Sequence, residues 1–205
     1  MTKSGKRLKV RPRAGPEGRF RIIAGQWRGR RFAIPDEADV RPTPDRVRET
    51  LFNWLAPVIA GARCLDLYAG SGALGLEALS RGAGRVVFVD RSRGALRQIG
   101  AHLETLQSNG GETVHMDAMK FLEGPATPFD IVFLDPSYRQ GLIGPAMARL
   151  VERSWLAPGA GVYLEHEADG DPPRLPEGWH LFRSAAAGRV RYHLARPVPR
   201  PAEAP

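Results

Sequence analysis

The chain is short of sulfur, of long apolar runs and, at one end, of acids, and each shortage narrows what it can be. Its one cysteine, Cys64, has no partner for an internal disulfide. Set in an apolar run, it reads as a small core residue of a reducing compartment. No window of about 18 uncharged apolar residues occurs, so no membrane span is expected. The basic N-terminus lacks the apolar stretch of a signal peptide. The five histidines show no ligand spacing, so no metal is expected. A cytoplasmic protein with no membrane contact is the expectation, and no internal repeat is visible.

The shortage of acid is local. Residues 1–31 hold eleven Lys or Arg against the single acid Glu17, and the whole chain sums to +8, so the charge sits on one arm and the rest is near neutral. Such an arm points to a polyanion such as nucleic acid, with a merely solubilising tail as the alternative. At 205 residues there is room for one good core plus extensions.

Residues 1–18 carry charge, Gly and Pro with almost nothing apolar and read as a disordered basic tail. Residues 19–35 look like two short strands around a turn containing Gly25. Thr43-Pro44 reads as an N-cap followed by proline at the first helical position. The helix after it places Val47, Leu51, Trp54 and Leu55 on one face.

From residue 62 strand-like and helix-like segments alternate. Strands are expected over 63–68, 85–90, 112–116, 129–135 and 161–166. Helices are expected over 73–81, 92–107 and 118–122, and another from about Pro145 carrying Met147, Leu150 and Val151. The second of these helices has Leu96, Ile99, Leu103 and Leu106 along one stripe. This rhythm predicts an α/β fold, a mostly parallel, doubly wound sheet with helices on both faces. Trp179–Ser184 and Arg189–Ala195 then read as an antiparallel hairpin around Ala185–Gly188, closing one edge. The division expected is a tail at 1–18, a hairpin and helix at 19–57 forming an RNA-binding extension, a cofactor domain at 58–196 and a flexible tail at 197–205.

Two motifs carry chemistry. In Phe129–Tyr138 an apolar run ends in Asp135, Pro136 and, two residues on, Tyr138. The acid accepts hydrogen bonds, the proline stiffens the turn and leaves its carbonyl free, and the tyrosine offers a stacking face. The three suit a planar substrate bearing an amine, although an α/β strand can end in Asp-Pro without any such role.

Upstream, Gly70, Gly72 and Gly75 match G-x-G-x-x-G between a strand and a helix, and Asp90 closes the next strand 20 residues after Gly70. Glycines there let the backbone approach a ligand and the later acid grips ribose hydroxyls, which leaves a nicotinamide dinucleotide and S-adenosylmethionine both in play. Asp66, at the end of the first strand of this unit, would repel a pyrophosphate and attract an ammonium and a sulfonium. With Asp117 it makes three acids at successive strand ends, favouring a cationic nucleoside. The alternative, each Asp capping the helix that follows, suits Asp117 better than Asp66.

Taken together, these residues resemble class I S-adenosylmethionine-dependent methyltransferases, with their Rossmann-like fold. More narrowly the chain is similar, over about residues 19–196, to the small-subunit (16S) ribosomal RNA guanine-N2 methyltransferases of the RsmD type. The specific pieces are Arg21–Arg31, Arg41–Trp54, Ala69–Leu79 and Asp135–Tyr138. That family usually has Asp-Pro-Pro before its aromatic, and here Ser137 replaces the second proline.

The resemblance implies that Asp66 with Gly70, Ser71 and Gly72 holds the methionine portion of the donor, that Asp90 holds its ribose, and that Asp117 and the Ala118 backbone face its adenine. Asp135 and the Pro136 carbonyl would grip the guanine amine, with Asp135 ionised from the start as an exposed carboxyl would be, and Tyr138 would stack on the base. The N-terminal segment is left for RNA. Arg21, Trp27, Arg28, Arg30, Arg31 and Arg41, with Phe32 beside them, are expected to contact ribosomal RNA, presented to a monomeric enzyme within an assembling small subunit. Rival readings are a DNA adenine or cytosine amino-methyltransferase, an NAD-dependent oxidoreductase, and a non-catalytic RNA-binding shell.

Overall fold

A computed structural model describes residues 18–34, 43–136 and 141–199. Ser137, Tyr138, Arg41 and all of the basic tail except Gly18 lie outside the described residues.

The chain opens with a small antiparallel hairpin, β1 (Arg19–Arg21) and β2 (Arg31–Ala33), in register at Phe20 and Phe32. Helix α1 (Asp45–Leu55) follows. Then come β3 (Arg63–Asp66), α2 (Ala73–Ser80), β4 (Arg85–Asp90), α3 (Arg93–Thr105), β5 (Gly111–His115), α4 (Ala118–Leu122), β6 (Phe129–Leu134), α5 (Ile143–Glu152), β7 (Leu156–Glu167), β8 (Trp179–Ala187) and β9 (Val190–Pro197). The last seven strands form one sheet in the order β5-β4-β3-β6-β7-β9-β8. The first five of that order run parallel, and β9 and β8 close the edge antiparallel.

Strand alternation builds a core on each face. Ile131 and Phe133 of β6 join Phe52 of α1, Leu76 of α2 and Ile99 of α3 on one side. Val132 and Leu134 meet Met147 and Leu150 of α5 on the other. The chain leaves β3 outward through β4 and β5 and returns to β6 on the opposite flank. That reversal opens the crevice at the carboxyl ends of β3 and β6 where such sheets bind ligands.

All eight residues of α2 are buried, because the sheet covers one side and the N-terminal hairpin the other. The hairpin is held by direct bonds. Ile23 and Ala24 N–H donate to the two oxygens of Glu77 at 2.8 and 3.0 Å, and Trp27 N–H donates to Ser80 Oγ at 3.0 Å. Gly25 (φ +84°) presses so closely that an added Cβ would stand 1.8 Å from the Ser80 carbonyl oxygen. Phe20 and Phe32 pack on His102 of α3, whose Nε2 lies 3.0 Å from the Ala33 carbonyl oxygen.

Three expectations change. Pro44, not Thr43, is the N-cap of α1, and no side chain caps it. The Thr43 hydroxyl donates instead to Asp135, and Asp45 in the first turn meets the helix dipole. Ala185–Ala187 belong to β8, paired with Tyr192, Arg191 and Val190, so the turn shrinks to Gly188 (φ +60°) and Arg189. Cross-strand pairing outweighs the modest strand preference of alanine there. Strand β7 begins at Leu156 rather than Gly161, and β9 runs to Pro197, after which Val198 N–H donates to the Gly178 carbonyl oxygen at 2.7 Å.

Candidate active site

The glycine loop joins β3 to α2. Gly70 (φ +49°) and Gly72 (φ +74°) take conformations that favour glycine, and a Cβ on Gly72 would meet Ile99 Cγ1 at 2.8 Å. Asp90 braces the loop from the end of β4. Its Oδ2 accepts from Gly70 N–H at 2.8 Å and its Oδ1 from Ser92 N–H at 2.7 Å. The Gly70 N–H is thus engaged within the protein, and any grip on a ribose uses the remaining lone pairs of Asp90. Ser71 is buried beside it.

Asp66 is 2% exposed, and its Oδ2 accepts the Gly75 N–H at 3.0 Å. The partner expected on sequence grounds was a cation. Within the chain it is a backbone amide at the start of α2. Burial pushes the Asp66 carboxyl up to about 8, eased by the Gly75 bond and reinforced by Asp90. A buried acid this reluctant to ionise suits a positively charged ligand, which would favour its anion.

Asp117 is the exposed N-cap of α4, its Oδ1 accepting from Met119 and Lys120 N–H at 3.0 and 3.1 Å. Capping is therefore one of its roles, and Ala118 opens the helix behind it, buried.

Asp135 follows β6, half-buried, with Pro136 buried after it. Because Leu134 pairs with Leu164, Asp135, just past the end of β6, comes beside Glu165 of β7, which runs two residues further. Glu165 is 2% exposed and accepts the Tyr163 hydroxyl at 2.5 Å. The expectation that Asp135 behaves as an exposed carboxyl does not hold. Burial first, then Glu165, then Asp66 push its carboxyl well above the usual range, and only the bond from Thr43 Oγ1 at 3.2 Å holds it down.

Behind Thr43 stands Arg48, fully buried on the apolar face of α1. Its Nε donates to the Thr43 carbonyl at 3.1 Å, its Nη2 to Asp45 at 2.6 Å, and its Nη1 lies 3.7 Å from Glu77 Oε2. Burial lowers its pKa, opposed by Asp45 and Glu77.

Sequence reasoning missed Thr43 in this role, Arg48, Glu77 and Glu165. The signals were present: a charged residue on each of two apolar helix faces, and an acid at the end of an apolar strand.

The residues expected to touch RNA divide. Arg28 and Arg31 are exposed, and neither makes an ion pair with the described residues. Arg21 pairs with Asp45 at 3.0 Å, and Arg30 reaches the Thr105 carbonyl at 3.4 Å. Trp27 is half-buried against the core. Phe32 is 5% exposed, so its ring faces Phe20 and His102 and is closed to RNA. Among the described residues no helix is long and apolar enough to cross a membrane, and no group of three or more His, Cys, Asp or Glu could hold a metal ion.

Residues 20–196 match the family described as conserved hypothetical protein 95. Ribosomal RNA small subunit methyltransferase D of Escherichia coli strain K12 is 47% identical over 184 residues, covering 90% of this chain and 93% of that protein. The protein of the same name from Haemophilus influenzae is 43% identical over 182 residues, covering 87% and 94%. The solved structure of Escherichia coli yhhF superposes with a TM-score of 0.83 at 47% identity, covering 88% of this chain and 98% of that one. A class I methyltransferase sheet, a glycine loop and an Asp-Pro corner on one rim accord with these likenesses, and the chain belongs to the RsmD family of methyltransferases.

Proposed function

We propose that the protein methylates the exocyclic N2 amine of a guanine in small-subunit ribosomal RNA, with S-adenosylmethionine as donor. The observation that carries the reading is the Asp135–Pro136 corner at the end of β6, across the switch point from the glycine loop after β3. The names of the relatives, which specify ribosomal RNA of the small subunit, support the substrate class. Guanine and its N2 position rest on the family resemblance.

The residues present fit the donor. Gly70 and Gly72 leave the loop without side chains, Asp90 bridges to the next strand end, and Asp66 is a buried acid in want of a cation. Asp66 and Ser71 would hold the methionine portion, Asp90 the ribose, and Asp117 with the Ala118 backbone the adenine. When bound, S-adenosylmethionine supplies a methyl group on a positively charged sulfur.

A guanine amine is a poor nucleophile because its lone pair is delocalised into the ring. Asp135 and the Pro136 carbonyl accept its two N–H bonds and aim the nitrogen. As that nitrogen gains positive charge its bond to the carboxylate strengthens, so the contact lowers the barrier as well as aiding binding. The Asp135 carboxylate then takes the proton the nitrogen loses. Asp135 must be ionised for this, and a cation near the rim offsets the burial and the Glu165 charge that hold its carboxyl up. Tyr138, placed by sequence, stacks on the base at about 1–3 kcal/mol, offsetting part of the unstacking energy. Arg28 and Arg31 contact RNA phosphates, and a monomer works on RNA within an assembling subunit in the cytoplasm.

Incubation with radiolabelled donor and small-subunit RNA, then digestion to nucleosides, tests the reading. Label is expected on N2-methylguanosine, and label confined to any other nucleoside overturns it.

A further inference from the structure

The sequence invites Thr43 to cap α1, and the structure gives its hydroxyl other work. A threonine before a helical proline is a common cap, since its oxygen can accept the free N–H groups of the first turn. Here α1 has no side-chain cap, and Thr43 Oγ1 instead donates across 92 positions of chain to Asp135 Oδ2 at 3.2 Å. Thr43 is 7% exposed. Its carbonyl is fixed at the same time by Arg48 Nε at 3.1 Å, from a guanidinium wholly shielded from solvent and anchored by Asp45 and Glu77. A residue held through both its backbone carbonyl and its hydroxyl in this way has little freedom to point elsewhere.

We propose that Thr43 is a positioning residue of the transfer site: its hydroxyl aims Asp135 at the target amine and favours the charged form of that carboxylate, while Arg48 locks Thr43 in place. The proposal rests on the reading of Asp135 as the acceptor of the amine N–H. Two acids and one base bear on this corner. Glu165 of β7 and Asp66 of β3 face Asp135 and oppose its ionisation. Arg48 of α1 reaches it only through the Thr43 carbonyl, and its own charge is shared between Asp45 and Glu77. The Thr43 hydroxyl is thus the one donor to Asp135 among the described residues. Donation to a carboxylate favours the charged form. Without it, burial and the two neighbouring acids act unopposed, and Asp135 holds its proton to higher pH.

The second oxygen matters as much. With Oδ2 engaged by Thr43, Oδ1 is left to meet the amine, so the bond sets orientation as well as charge. A threonine whose only duty was to begin α1 would affect folding stability and leave the pH at which turnover rises unchanged.

The test compares Thr43→Val, which keeps shape and removes the donor, with Thr43→Ser, which keeps the donor. For each, kcat and KM for donor and RNA are measured from pH 5.5 to 9 as total methyl transfer to small-subunit RNA. Thr43→Val is expected to move the acid limb of kcat upward by about one pH unit, giving about tenfold slower turnover below it. KM for the donor should hold, and Thr43→Ser should restore the limb. An acid limb that stays put in Thr43→Val, or one displaced equally in Thr43→Ser, overturns the proposal. Thr43→Ala, free of branched bulk, serves the same comparison if the valine variant does not fold. Because total transfer is counted whatever the nucleoside, a wrong guanine assignment would alter the labelled product and leave the limb shift in place.

Discussion

Glu77 Oε2 accepts the Ile23 backbone N–H at 2.8 Å and lies 3.7 Å from Arg48 Nη1, so one buried carboxylate faces the N-terminal hairpin on one side and the support of the Asp135 corner on the other. Its second oxygen takes Ala24 N–H at 3.0 Å and Arg81 Nε at 2.7 Å. The hairpin and the Asp135 corner therefore share an anchor.

Glu77→Gln should weaken folding strongly, because it leaves Arg48 buried with half of its counter-charge. Breaking such pairs costs about 3–5 kcal/mol. Urea unfolding followed by circular dichroism measures it, and a change below about 1 kcal/mol would mean that the carboxylate charge contributes little.

Asp135→Ala should reduce turnover by several orders of magnitude with the affinity for S-adenosylhomocysteine nearly unchanged, since Asp135 is assigned to the base rather than to the donor. Single-turnover methyl transfer and calorimetric titration read the two separately. Turnover within a few-fold of wild type would remove Asp135 from the mechanism.

Asp66 gives a pH signature. Its carboxyl is raised to about 8 in the fold, against about 3.9 in an unfolded chain. Between those values the folded state keeps a proton that the unfolded state has released, so this group's contribution to stability declines as pH rises through the window. Asp66→Asn removes the decline. The ligand-free variant should melt above wild type at pH 8, with the gap closing towards pH 5, while its affinity for the donor falls. A gap that is constant with pH would contradict the raised carboxyl.

Arg28→Ala and Arg31→Ala should each weaken RNA binding and reduce the slope of log affinity against log salt by about one phosphate contact. Fluorescence anisotropy at several salt concentrations measures it. Arg30, turned towards the Thr105 carbonyl, should matter less, and equal effects at all three positions would argue for a diffuse field.

Features of this protein that depend on local pattern are legible in its sequence. The stripe Leu96, Ile99, Leu103 and Leu106 lies buried along α3 and just past its end, and Ala118–Leu122 forms α4. The glycine loop and the Asp-Pro corner fall on one rim because alternating strands and helices can wind in few ways. What escaped was long-range. Nothing near Thr43 in the chain announces Asp135, and nothing near Glu77 announces the amides of Ile23 and Ala24. The raised carboxyl of Asp135 escaped for the same reason, since Glu165 is adjacent to it only through strand pairing. Phe32 looked like an RNA-facing aromatic among arginines, but strand alternation turns it inward against Phe20.

Helix α2 has no wet side. A fragment trimmed to begin after Ile34 would present an apolar rod to water, together with the vacated carboxylate of Glu77 and the hydroxyl of Ser80. The segment proposed to meet RNA is thus also the cover of the donor-binding core. Grafting it onto a relative would require transplanting its seat on α2 as well, and the smallest piece expected to remain soluble while binding the donor starts no later than Gly18.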